Sequence, residues 1–277
     1  MIKFSTFFIL FCTVIMACKQ HNTKEHLAQN NALDVPVVNA IYPETNEVPE
    51  NILKFYISFS QPMREGDFLK HISLFDSKGY NLKGVFFDNL YELWSANHKQ
   101  LTLIVDPGRV KTNLREHNKS GRAFKVGETY TLVIGTTWKS IKGNYLNEKF
   151  TKEFTVIPED IIPPNTDEIT VSKIEINSKK PITIQFSEAL DVLQLNDYVR
   201  ILENDSILNG SFKTLDSGKQ LQFTPLTNWK QNNYQLQIDK RLEDIAANNF
   251  SGKFDSPQTE TKTYHSTGKI YKKIPIQ

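Results

Sequence analysis

The chain has 277 residues, of which 33 are Lys or Arg and 31 are Asp or Glu, for a formal net charge of +2 at pH 7. So even a balance argues against a general electrostatic attraction to nucleic acid, and the length suffices for two domains of ordinary size. Both cysteines, Cys12 and Cys18, fall within the first eighteen residues, so the chain beyond them has no disulfide to form and must be stabilised by packing.

Met1-Ile2-Lys3 is a short positive start, and the run from Phe4 to Ala17 is apolar apart from Ser5, Thr6 and Thr13. Such a run is too short for a membrane-spanning helix, which needs about 20 residues, and has the length of a signal-peptide core. It closes with Ile15-Met16-Ala17-Cys18, which resembles the lipobox of bacterial lipoproteins, with Ile15 where leucine is usual and small Ala17 beside the scissile bond. That resemblance implies a lipoprotein signal peptide over residues 1–17, acylation of Cys18, and attachment to a membrane of the cell envelope through that lipid. Lys19 stands where some bacteria use aspartate to retain lipoproteins at the inner membrane, which points to the outer membrane. An ordinary signal peptide or an uncleaved anchor is the alternative.

Residues 18–36 are polar, with few branched or aromatic side chains, and read as a flexible tether. Beyond them, short runs with period-2 alternation recur between turn signals, among them Leu53–Phe59, Leu101–Val105, Tyr130–Ile134, Ile182–Phe186 and Tyr234–Ile238. They are rich in Ile, Val, Thr, Tyr and Phe, which suit a pleated half-buried surface, and no long stretch sustains a 3.6-residue period. The spacing predicts an all-β sandwich.

The runs also repeat in order. Phe55–Met63 corresponds to Ile182–Leu190, Lys99-Gln100-Leu101 to Lys219-Gln220-Leu221, and Gly127–Ile134 to Gln231–Ile238. One fold is therefore predicted twice, over 37–157 and 169–255, joined by a proline-rich linker at 158–168 and with a polar tail at 256–277.

At Phe59-Ser60-Gln61-Pro62-Met63, at Phe186–Asp191 and at Leu242–Asn248 the chain resembles the bacterial Ig-like domains of surface-layer and other exported proteins. That family ends one strand in Phe-Ser, continues with a Tyr-x-Leu-x-Ile strand, and closes with a Leu-x-Asp-x-Ala-Gly-Asn turn. Here Ala247 takes the glycine position, and the first copy lacks the Asp-x-Ala core. The resemblance implies two tandem immunoglobulin-like β-sandwiches serving as spacer, scaffold or adhesion modules, with no active site. In the turn, Asp244 is expected to accept backbone N–H bonds two residues on, and Asn248 to adopt the left-handed conformation.

Functional candidates are few. The first copy carries an insertion of 16 residues, since 29 positions separate Leu101 from Tyr130 against 13 between Leu221 and Tyr234. This loop, 106–125, holds Arg109, Lys111, Arg115, Lys119, Arg122 and Lys125 against Asp106 and Glu116, a chemistry suited to an anionic glycan, a lipid headgroup or an acidic envelope protein. The alternative is a solvated loop whose arginines pair locally. Trp94, beside Tyr91, is the indole best placed to stack on a sugar, whereas Trp138 and Trp229 are expected as core or edge-packing residues. No metal-ligating histidine spacing, nucleophile elbow or surviving free thiol appears, so no metal, cofactor or catalytic residue is expected. The carboxylate pairs Glu188/Asp191 and Glu243/Asp244 are explained more simply by turns than by glycoside hydrolysis. The sequence thus predicts a non-catalytic, membrane-anchored binding or scaffold lipoprotein. An accessory subunit of an envelope assembly, pairing through strand addition, is the second reading, and a carbohydrate-active enzyme the third.

Overall fold

A computed structural model describes residues 35–88, 91–111, 121–255 and 267–277. Cys18, nearly all of the tether, Arg115 and Lys119 lie outside the described residues.

The first half forms β1 (Val38–Tyr42), β2 (Glu47–Pro49), β3 (Lys54–Phe59), β4 (Ile72–Asp76), β5 (Asn81–Leu82), β6 (Leu93–Trp94), β7 (Gln100–Ile104), the one-turn helix α1 (Pro107–Val110), β8 (Thr129–Ile134) and β9 (Phe150–Ile157). The second half forms β10 (Thr170–Val171), β11 (Ile182–Gln185), α2 (Val192–Tyr198), β12 (Val199–Glu203), β13 (Ser206–Ile207), β14 (Gly210–Leu215), β15 (Gln220–Pro225), β16 (Tyr234–Asp239) and β17 (Lys269–Lys273). All five runs read as strands are strands, in register with neighbours that the alternation could not name.

Four sheets result. In the first half, β1-β3-β7-β6 faces β2-β9-β8-β4-β5; in the second, β10-β11-β15-β14 faces β13-β12-β16-β17. The duplication read from the sequence is thus a duplication of topology: β3 and β7 are repeated by β11 and β15, and β4, β8 and β9 by β12, β16 and β17. Period-2 alternation explains the packing, because Phe55, Ile57 and Phe59 of β3 point inward to one apolar core, and Ile182 and Ile184 of β11 to another. Trp138 and Trp229 are buried in these cores as the sequence predicts, each indole N–H donating to a backbone carbonyl, of Arg64 (3.1 Å) and Lys180 (2.8 Å).

Within the stretch 256–277, expected to be a polar tail, the described residues 267–277 depart from that expectation. Lys269–Lys273 pairs antiparallel with β16 over five residues, and Ile274 just beyond is buried in the second core. Its polar composition is that of an edge strand, of which only Ile270 and Lys272 are turned partly inward.

Candidate functional site: a polar junction between the sandwiches

Along β3, Phe55 and Ile57 face the core, so Lys54 and Tyr56 must face the other way. There they meet the second sandwich. The Lys54 ammonium lies 3.1 Å from Asp191 Oδ2 and 2.6 Å from Glu243 Oε2, and the Tyr56 hydroxyl donates to the same Asp191 oxygen at 2.5 Å. Asp191 is placed by local structure: it caps α2, its Oδ1 accepting from Leu193 N and Gln194 N. Glu243 is held by Gln194, whose side chain donates to Glu243 Oε2 (3.0 Å) and accepts from Glu243 N (3.0 Å).

Burial sets the electrostatics. Side-chain exposure is 18% for Lys54, 3% for Asp191 and 18% for Glu243. Burial alone would lower the Lys54 pKa, but Asp191 and Glu243 outweigh it and hold the ammonium charged. Burial, and then Asp191, push the Tyr56 phenol far above its ordinary range, so it remains a neutral donor.

The linker joins the same junction. Asn51, ahead of β3, donates to Asp160 O (2.7 Å) and accepts from Asp160 N (2.9 Å), while Asn248 of the second sandwich donates to that carbonyl at 3.0 Å. The Asp160 side chain meets Glu188 and Asp244, with carboxylate oxygens of the three within 4.8 Å of one another. Desolvation, and then repulsion from Asp160, push the Glu188 pKa up to about 8. Asp244 rises to about 8 mainly through desolvation, with Glu188 and Asp160 adding to it and Asn248 opposing it. Oxygens this close share protons or hold a hard cation. Calcium takes six to eight oxygens, and both Asp244 oxygens already accept, from Ala246 N, Asn248 N and Asn248 Nδ2, so the donor set suits shared protons better.

The turn has the predicted Asp244 bonds but not the predicted conformation. The left-handed residue is Ala247, at φ 67°, rather than Asn248. Asn248 is committed through its N–H and amide to Asp244 and Asp160 and accepts from Phe254 N, which fixes it outside the left-handed region. The position where the family carries glycine is therefore the one with positive φ. The imagined carboxylate pairs separate: Glu188 turns to Asp160 and Asp244, whereas Asp191 and Glu243 turn to Lys54.

The basic loop is tied to this junction by its described ends. Arg109 donates to three backbone carbonyls, of Arg122 (2.9 Å), Gly84 (3.2 Å) and Gly121 (3.4 Å). Arg122 donates to Val110 O and to Glu159 Oε2 in the linker (2.5 Å). Lys111 sits 4.1 Å above the ring of Phe254, a residue from beyond β16 that packs on the first core. Asp106 caps the Pro107-Gly108 turn as its sequence suggests, accepting from Gly108 N. Trp94 is half-buried, packed on Phe59 and Trp138 and stacked on His98, with its indole N–H on Glu92 (2.7 Å). Sequence reasoning missed Asn51, Lys54, Tyr56 and Asp160 as a group. Only the Lys54/Tyr56 alternation and the acid in the proline-rich linker were visible, and neither specifies a partner more than a hundred residues away.

Residues 160–262 match the family model of the bacterial Ig-like domain. Among solved structures, domains 1-6 of the surface-layer protein SbsC are 14% identical with a TM-score of 0.34, over 79% of this chain and 26% of that one. Domains MG0-NIE-MG1 of Escherichia coli alpha-2-macroglobulin are 12% identical with a TM-score of 0.29, over 90% and 93%. Tandem Ig domains of titin are 10% identical with a TM-score of 0.24, over 87% and 98%. The chain thus spans about a quarter of the surface-layer fragment it resembles, and no curated protein matches it.

Proposed function

Starting from a chain that carries a bacterial Ig-like domain, we propose that it is a lipid-anchored, non-catalytic lipoprotein of the bacterial envelope that serves as a binding or scaffold module, tethered through Cys18 to the outer membrane. One observation carries this reading. Buried charged side chains, Lys54 of the first half with Asp191 and Glu243 of the second, meet between the two sandwiches, where they join modules, while each interior is an apolar core. Buried charge placed to hold two domains together is what a scaffold requires.

An acidic protein or glycan is proposed as the partner of the basic loop on its composition, since its described arginines, Arg109 and Arg122, are already engaged in bracing it against backbone carbonyls and Glu159. Strand addition at β9 is the less favoured route. That strand lies inside its sheet, paired with β8 on one side and over Thr155–Ile157 with β2 on the other, and Lys152 donates to Thr45 O (2.9 Å) ahead of β2.

Two measurements test the proposal. Metabolic labelling with a radioactive fatty acid is expected to mark the wild-type protein and not Cys18→Ser, and the variant should leave the membrane fraction. Labelling that persists in the variant would reject the anchor. Crosslinking in intact cells and subsequent purification are expected to recover envelope protein or glycan in stoichiometric amount; recovery of the chain alone, under conditions that capture known envelope complexes, would reject the scaffold role.

A further inference from the structure

We infer that the two sandwiches act as one rigid body at a fixed angle, held by a latch in which the Lys54 ammonium of the first bridges Asp191 and Glu243 of the second. A tandem of domains swivels when it is joined by one strand of linker or one surface contact, and swivelling is the default for small polar interfaces. Here several contacts join the halves: β3 reaches the second sandwich through Lys54 and Tyr56, Asn51 ahead of it holds the linker at Asp160, and Phe254 from beyond β16 reaches back to the first core under Lys111.

Both halves of the latch are anchored in their own domain. Lys54 is fixed in the ladder opposite Ile104, and Asp191 is fixed as the cap of α2 and by its own N–H on Glu243 O (2.8 Å). A rotation of one sandwich must therefore break charge-assisted bonds rather than bend flexible side chains. Low exposure keeps solvent and salt from screening them. The linker adds to the restraint, since Pro158, Pro163 and Pro164 limit its backbone and Asp160 between them is bonded from both sides. This holds whatever the modules bind and whether or not Cys18 is acylated.

Spin labels at Lys78→Cys and Ser211→Cys, exposed positions on the first and second sandwich, report the angle by pulsed electron resonance. The full chain is used in detergent, with Cys12 and Cys18 replaced by serine so that only the introduced thiols are labelled. A single narrow distance distribution, unchanged in 1 M salt, is expected, and Lys54→Met should broaden it several-fold while the β-sheet circular dichroism is retained. A broad distribution in the unmutated background overturns the rigid body. A narrow one that survives Lys54→Met in a folded chain overturns the latch. Should Lys54→Met not fold, Glu243→Gln takes its place with the same readings.

Discussion

Asp244 serves a turn and a charge cluster with one carboxyl. Its oxygens accept Ala246 N at 2.8 Å, Asn248 N at 2.9 Å and Asn248 Nδ2 at 3.0 Å, in a site 1% exposed. Asp244→Ala strands buried donors, each costing about 1–3 kcal/mol, so a loss of roughly 3 kcal/mol is expected in urea unfolding. The same residue gives a pH signature. Glu188 and Asp244 have folded pKa values raised to about 8, against about 4 in an unfolded chain. Folding therefore favours their protonated forms. That contribution is complete below about pH 4, declines as the unfolded state begins to ionise, and is lost as pH rises through about 8. Asp239 acts in the opposite sense: its bonds to Arg241 first, and then to Lys269, depress its pKa, so its contribution disappears only on strong acidification. The urea midpoint is expected to fall from pH 5 to pH 8.5, and to fall less in Glu188→Gln. A midpoint that rises over this interval would contradict the assignment.

At the scale of elements, β17 shows both what the sequence reveals and what it hides. Tyr234–Ile238 announces itself through alternating apolar residues, because one face of β16 is buried. Lys269-Ile270-Tyr271-Lys272-Lys273 sits at the edge of the same sheet, and Lys269 and Tyr271 lie exposed on its outer face, so its composition is that of a solvated tail. The signal that was present is topological. The first copy ends in β9, and a faithful repeat requires a counterpart to pair with β16. Tertiary contacts supply the remainder: Asp239 Oδ2 lies 2.6 Å from Lys269 Nζ, Ile274 N donates to Tyr234 O, and Ile274 is 1% exposed. Ile274→Ala is expected to destabilise the chain by roughly 2–4 kcal/mol, as for other fully buried isoleucines. Lys273→Ala, in an exposed position on the same strand, should change it by less than about 0.5 kcal/mol. Equal effects would mean that β17 is not docked. The junction was illegible for a related reason: Lys54 reads as the polar start of a strand, and nothing local distinguishes a lysine facing water from one facing Asp191, 137 residues on.

For the whole molecule, the question is whether two apolar cores unfold as two units or one. Separate cores with no shared side chains would melt independently, since each sandwich is large enough to be stable alone. Three features oppose independence here. Phe254, from beyond β16, packs on the first core; Asp160 is bonded from both sandwiches; and Lys54 and its two carboxylates lose their charge-assisted bonds if either sandwich opens. Hydrogen bonds to charged groups contribute about 1.5–3 kcal/mol each, a sizeable fraction of the stability of a small domain, so opening one sandwich removes part of what stabilises the other. Calorimetry at pH 6 is therefore expected to show a single transition. Its van't Hoff enthalpy should approach the calorimetric total, on the order of 150 kcal/mol at about 0.7 kcal/mol per residue. Lys54→Met removes the charged part of the coupling without touching either core, so the transition should broaden and its van't Hoff enthalpy fall below the calorimetric total, the midpoint moving down by several degrees. Two transitions already present in the unmutated protein would show that the junction orients the sandwiches without coupling their folding.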